Sequence, residues 1–189
     1  RAGREQNLRQ LGTQEGGPAA GHGAGRGGHD QQASAGAGVG TEHEGTSFAE
    51  GAEKARAGLA ILVREGSAAH NLAAIVNGLV DTDMPTGRFA FCTDDKHVND
   101  IAEEGHISYN VQRAIDLGLD PVKAIQMATV NAARHFRVDH LVGSITPGRC
   151  ADILLLDALR VIRPAALYPA GRPVADNGLA GPPPPTAYP

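Results

Sequence analysis

The chain has 189 residues, is 41% hydrophobic, and sets 17 Lys and Arg against 21 Asp and Glu for a formal charge of −4. That length allows one domain but not a complete (β/α)8 barrel of about 250 residues, and the mild acidity argues against a duplex-binding surface, so no nucleic-acid partner is expected. No apolar run reaches the roughly 18–20 residues of a membrane span and no signal peptide opens the sequence, while Cys92 and Cys150, without CxxC spacing, fit a reducing, cytoplasmic compartment.

Residues 1–40 hold 12 glycines and, as large aliphatic residues, Leu8, Leu11 and Val39 alone. That is too little apolar surface to offset the entropy of ordering, and the segment is expected to be poorly ordered by itself. Ser47, with Glu50 three residues on, reads as a capping box. Behind it Phe48, Ala52, Ala55, Leu59 and Leu62 recur at helical spacing. Ser67 is the expected cap of a second, shorter helix running through Leu79. Gly87–Thr93, GRFAFCT, reads as a buried strand that delivers Asp94 and Asp95 at its C-terminal end. Asp120–Pro121 starts a further helix, with Asp as N-cap and Pro at the first helical position. Ile125, Ala128, Ala132 and Phe136 fall on one face of it. Pro147–Gly148 is a turn, and Ala151–Asp157, ADILLLD, a strand with a nearly continuous apolar middle. The proline run Pro182–Pro185 can continue neither a helix nor a central strand. Helices and strands in this order predict α/β units rather than a helical bundle.

Eight histidines are spread along the chain: His22, His29, His43, His70, His97, His106, His135 and His140. None forms HxH or HExxH, so no metal motif closes locally. Imidazole and carboxylate ligands nevertheless suit Zn2+, Mn2+ or Fe2+, and an α/β barrel collects such groups from successive strand ends. Spacing alone leaves each histidine open between metal ligand and structural residue, and leaves Asp94 open between a functional carboxylate and a helix N-cap. The HxE…PCxxC pattern of the cytidine-type zinc deaminases is absent. Both cysteines read as small buried apolar residues.

Three segments then resemble one family. FCTDDKHVNDIAEEGHISYNVQRAIDLGLDPVKAIQMATVNAARHF (Phe91–Phe136), GVGTEHEGTS (Gly38–Ser47) and AILVREGSAAHNL (Ala60–Leu72) are similar to the adenine deaminases of the amidohydrolase superfamily. GSITPGRCADILLLD (Gly143–Asp157) resembles a broader amidohydrolase feature, the return of the chain from the barrel to a small β domain. Fainter likeness runs upstream through GHGAGRGGHD and downstream through PAGRPVADNG. The resemblance implies a (β/α)8 barrel of the amidohydrolase type, of which this chain holds the later βα units, followed by strands of a small β domain. The implied division is a segment at residues 1–40 that matches a barrel strand-end region, a barrel portion at 41–142, and at 143–189 the return to a small β-sandwich and a Pro-rich tail. Nothing here corresponds to the family's early HxH strand or its bridging glutamate, so the 189 residues read as a middle piece of a longer protein.

The same resemblance implies the hydrolysis of adenine to hypoxanthine and ammonia. It makes His22, His43 and Asp94 metal ligands, with Asp94 also the catalytic proton shuttle. It gives Glu44, Asp95, His97 and His106 substrate-side or supporting roles, and Arg64–Ser67 a structural turn. The implied cofactor is a divalent metal, Mn2+ first, with Fe2+ or Zn2+ as alternatives. The implied partner is adenine as a small-molecule substrate, with no nucleic acid and no membrane, and a homo-oligomer is the expected assembly. Two rival expectations stand beside this one. One is a truncated, non-catalytic remnant exposing apolar strand edges. The other is an amidohydrolase acting on a cyclic amide or an N-acetyl substrate, which the GSITPGRCADILLLD segment taken alone would allow.

Overall fold

Period-two alternation builds the central sheet. In the computed structural model, which describes residues 19–20 and 39–174, β1 (Ala19–Ala20), β2 (Val39–Glu42), β3 (Ala60–Arg64) and β4 (Phe89–Cys92) lie side by side in that order, all parallel. Ile61 and Val63 of β3 are buried and pair in register with Phe89 and Phe91 of β4. Their face meets α1 (Phe48–Arg56), α2 (Leu72–Thr82), α4 (Ile107–Asp116) and α5 (Pro121–Ala128) in one core that includes Leu72, Ile75, Leu79, Val111, Ile115 and Met127. Successive strand residues point to opposite faces, so Leu62 and Arg64 of β3, with Ala90 and Cys92 of β4, lie on the other face of the sheet. Helices α1 and α2 serve as the crossovers that parallel neighbours require. The arrangement is that of consecutive βα units of a barrel, as the sequence predicts.

Several elements differ from their sequence expectations. The helix capped by Ser47 does form, with the Ser47 hydroxyl accepting the Glu50 amide, but it stops at Arg56. Gly58 adopts φ +105°. Its amide bonds the Ala55 carbonyl and that of Leu59 bonds Lys54, which is a Schellman termination. Leu59 and Leu62 therefore leave the helical face; Leu59 enters the core and Leu62 becomes part of β3. Ser67 is not a helix cap. Helix α2 begins at Leu72, whose amide is accepted by the Glu65 carboxylate at 3.1 Å, while Ser67 Oγ accepts the His97 amide at 2.8 Å and pairs with Asp100.

Asp120 caps α5 as expected, accepting the amides of Val122 and Lys123, both at 3.0 Å, with Pro121 at the first position. The helix breaks at Thr129, however (φ −129°, ψ −93°), and α6 (Val130–His135) follows as a separate turn. Ile125, Ala128, Ala132 and Phe136 still share a face. It lines a cavity of about 750 Å3 whose opposite wall includes Ile153, Leu156 and Ile162. That wall belongs to an antiparallel hairpin of β5 (Ile153–Ala158) and β6 (Val161–Tyr168), a sheet separate from the first. One further helix, α3 (Val98–Glu104), precedes α4. Among the described residues no helix is long and apolar enough to cross a membrane.

Candidate active site

The C-terminal ends of the parallel strands β2, β3 and β4 lie on one edge of the sheet, and side-chain contacts hold the turns beyond β2 and β4. Beyond β2, the buried Glu42 carboxylate accepts the Glu44 amide at 2.6 Å and the Gly45 amide at 2.8 Å through Oε1. The same oxygen takes Lys54 Nζ at 3.1 Å, and Lys54 also pairs with Glu50 at 2.6 Å. Asn71 Nδ2 donates to the Gly45 carbonyl at 3.1 Å. The tight turn that results projects His43 and Glu44 from the strand end.

At β4 the chain turns through Asp94, which adopts the left-handed φ of +50°. Aspartate is among the few residues that accept this conformation. Asn110 Nδ2 holds the Cys92 carbonyl at 2.9 Å, and the Lys96 amide bonds the Thr93 carbonyl at 3.1 Å. Asp94 is thus not a helix N-cap; that position at α3 belongs to His97. Burial, and next the charge of Asp94, push the Cys92 thiol up to about 12, so this half-buried cysteine stays protonated.

Four side chains from three strand ends meet. His43 Nε2 lies 3.2 Å from Glu44 Oε1 and 3.9 Å from Asp94 Oδ1. Arg64, the last residue of β3, places Nη1 2.9 Å from Glu44 Oε2 and 3.4 Å from Asp94 Oδ2. The group stays open to solvent on one side. Imidazole and carboxylate are the donor types that Zn2+, Mn2+ and Fe2+ accept. Two ligands each about 2.1 Å from a shared ion stand roughly 3.4 Å apart in tetrahedral geometry, so the His43–Asp94 separation of 3.9 Å needs only a small inward movement. The donor pair therefore fits such an ion in kind. Among the described residues no three His, Cys, Asp or Glu groups surround a common point, and His22 lies outside the described residues.

The remaining candidates are placed differently. Asp95 turns towards the loop after β3 and accepts the Ala68 amide at 3.0 Å. Although burial opposes ionisation there, amides of Ala68, Ala69, Asp95 and Ser67 together hold its carboxyl below the ordinary aspartate value. Gly66 makes this approach feasible, since a Cβ there would lie 1.7 Å from Asp95 Oδ1 and 2.9 Å from the Thr93 carbonyl oxygen. His106, at the start of α4, bonds Thr93 Oγ1 through Nε2 at 3.1 Å. His97 is exposed, and its amide is the group that bonds Ser67. The sequence reading missed Arg64 as a member of the cluster. The signal was present in AILVR, where alternation puts an arginine on the second face of the sheet at the strand's end.

Comparison with known proteins places this geometry. The model of the amidohydrolase family matches residues 8–178. An adenine deaminase of Desulforamulus reducens is 54% identical over 142 residues, which is 75% of this chain and 24% of that protein. An adenine deaminase of Desulfitobacterium hafniense is 50% identical over 138 residues, 73% of this chain and 24% of that one. The chain thus spans about a quarter of the length of the curated relatives it matches. Among solved structures, a β-aspartyl dipeptidase from Fervidobacterium islandicum superposes with a TM-score of 0.55 at 17% identity, over 70% of this chain and 38% of that one, a likeness of fold alone. With a family match that runs over nearly all of its residues, and with consecutive parallel βα units carrying imidazole and carboxylate groups at their strand ends, the chain belongs to the amidohydrolase family.

Proposed function

We propose that the protein carrying these 189 residues is a metal-dependent adenine deaminase that converts adenine and water into hypoxanthine and ammonia. The observation that carries the reading is the meeting of His43, beyond β2, and Asp94, beyond β4, across the end of β3, in a chain 54% identical to an adenine deaminase over most of its length. In this reading His43 and Asp94, with His22, hold the cation, which is Mn2+ in preference to Fe2+ or Zn2+. When bound, such a cation supplies hydroxide at neutral pH by lowering the pKa of water from 15.7 towards about 7.

The chain's own residues do the rest. C6 of adenine is a poor electrophile and ammonia a poor leaving group. The Asp94 carboxylate takes a proton as water adds to C6 and delivers it to the departing amino group, a transfer of the kind that contributes about 10²–10⁴-fold. Glu44 lies beside His43 and serves the substrate. Asp95, His97 and His106 act as supports, Asp95 through the Ala68 amide and His106 through Thr93. Two free cysteines agree with a cytoplasmic, reducing setting, where the reaction would serve adenine catabolism and purine salvage in a homo-oligomeric enzyme.

The 189 residues purified by themselves are expected to release no ammonia, because they span about a quarter of the length of the adenine deaminases they match. Expression from the complete reading frame, reconstitution with Mn2+ and incubation with adenine should give equal amounts of hypoxanthine and ammonia. Inertness towards adenine together with turnover of a cyclic amide or an N-acetyl substrate would move the protein to another branch of the family.

A further inference from the structure

We infer that Arg64 is a positioning residue for the proton-transferring carboxylate: its guanidinium holds one oxygen of Asp94 so that the other is presented to His43. The inference rests on the proposed function and deepens it. Register sets Arg64 level with Cys92, two residues before Asp94, and its side chain, although charged, is only 14% exposed. The contacts fall into a pattern. Each of the two neighbouring carboxylates has one oxygen on Arg64 Nη1, at 2.9 Å for Glu44 Oε2 and 3.4 Å for Asp94 Oδ2. The opposite oxygen of each faces His43 Nε2, at 3.2 Å for Glu44 Oε1 and 3.9 Å for Asp94 Oδ1.

Glu44 and Asp94 therefore bridge a guanidinium on one side and an imidazole on the other. Such an arrangement gives the two oxygens of Asp94 different surroundings, which a carboxylate that must both ligate and carry a proton requires. Arginine keeps its charge at every working pH, and its planar donors fix the carboxylate's direction as well as attracting it. One guanidinium against two carboxylates leaves one negative charge beside His43, so a fixed cation at this place does not exclude a bound one. Arg64 Nε is buried with no hydrogen-bond partner among the described residues. Its side-chain polar contacts among the described residues are thus the two carboxylates, and it is to them that its position is tied. Asp94 sits on a left-handed backbone, a conformation that few residues other than Gly, Asn and Asp adopt, and a side-chain tether there keeps the turn in one state.

The test uses the protein from its complete reading frame, wild type and with Arg64→Met or Arg64→Lys, loaded with Co2+ for spectroscopy and with Mn2+ for turnover. In Arg64→Met the visible Co2+ bands should shift. The kcat for adenine should fall about 100-fold, the scale of a misplaced catalytic group, with KM within threefold, and added guanidinium should restore part of the loss. Arg64→Lys, which retains the charge but not the fork, should lose about three- to tenfold in kcat and still shift the bands. Unchanged bands with kcat within threefold of wild type in Arg64→Met would overturn the inference, as would a loss of kcat that neither guanidinium nor lysine relieves. Should Arg64→Met fail to fold, the bands and kcat of Arg64→Lys decide, and wild-type values for both would overturn it. A wild-type protein inert on adenine sinks the proposed function instead, while the Co2+ bands, recorded without substrate, still decide the role of Arg64.

Discussion

Replacing Lys54 by methionine removes the positive charge beneath the turn that carries His43 and Glu44. Lys54 and Glu42 are each 1% exposed at the side chain, with Nζ 3.1 Å from Glu42 Oε1. That oxygen also accepts the Glu44 and Gly45 amides, so a fully buried carboxylate would be left with amide partners and without its cation. Removing one member of a buried ion pair costs about 3–5 kcal/mol, chiefly the desolvation of the charge left behind. Urea unfolding of a domain this size has a slope of about 2 kcal/mol per molar, so the midpoint should fall by about 2 M. The double variant Lys54→Met/Glu42→Gln removes both charges and keeps an acceptor for the two amides. It should regain most of the loss, because replacing a buried pair by uncharged groups of similar shape is close to neutral. The assay is urea unfolding followed by circular dichroism in all four members of the cycle. A single-variant cost under about 1 kcal/mol, or costs that add in the double variant, would refute the claim that this buried pair shapes the strand-end turn.

Gly66→Ala should lower stability by about 1–3 kcal/mol through overpacking, since its Cβ would stand 2.9 Å from the Thr93 carbonyl oxygen; thermal melts check this, and a wild-type melt would contradict it. His135, whose Nε2 bonds Thr41 at 2.6 Å, has its imidazole lowered below the ordinary histidine value by burial. The unfolded chain therefore takes up a proton that the folded chain refuses as pH falls below about 6.5, and stability is lost in that direction until the folded value is passed. His135→Gln should flatten this part of a stability-versus-pH curve. Chelation of the protein from its complete reading frame should abolish ammonia release from adenine, and Mn2+ should restore it; turnover that survives complete metal removal would contradict the cofactor assignment.

What could be read from sequence was mostly local. Asp120–Pro121 and GRFAFCT gave a cap and a strand because N-caps and buried runs are settled by residues near in sequence. The end of α1 was also written there, in Gly58 followed by apolar Leu59, but a continuing 3–4 spacing through Leu62 masked it. Helix α2 shows why Ser67 misled. A serine before an apolar run is a cap only if its hydroxyl is at liberty to serve, and here Glu65, seven residues before Leu72, supplies the acceptor while Ser67 is engaged with residues 30 and 33 positions away.

The site divides along the same line. His43, Glu44 and Asp94 were nameable from their motifs, and the structure brings them together. Of the Asp94–Asp95 pair, the resemblance named Asp94 as the one that faces the histidine, without supplying the physical reason. That choice follows from the left-handed turn at Asp94 and from Gly66, whose missing side chain lets Asp95 swing towards the neighbouring loop. Alternation in AILVR places Arg64 at the end of β3, but its contact with Asp94, 30 positions away, comes from the pairing of β3 with β4.

The most direct test is the rate of hypoxanthine formation from adenine by Asp94→Asn, made in the protein expressed from its complete reading frame and compared with wild type at equal metal content. Asparagine keeps the size of the side chain and loses the carboxylate that moves the proton. A fall in kcat of at least about 100-fold is expected, the lower end of what acid–base catalysis contributes. Unchanged turnover would mean that another carboxylate moves the proton and that the cluster of His43, Arg64 and Asp94 is not the catalytic centre.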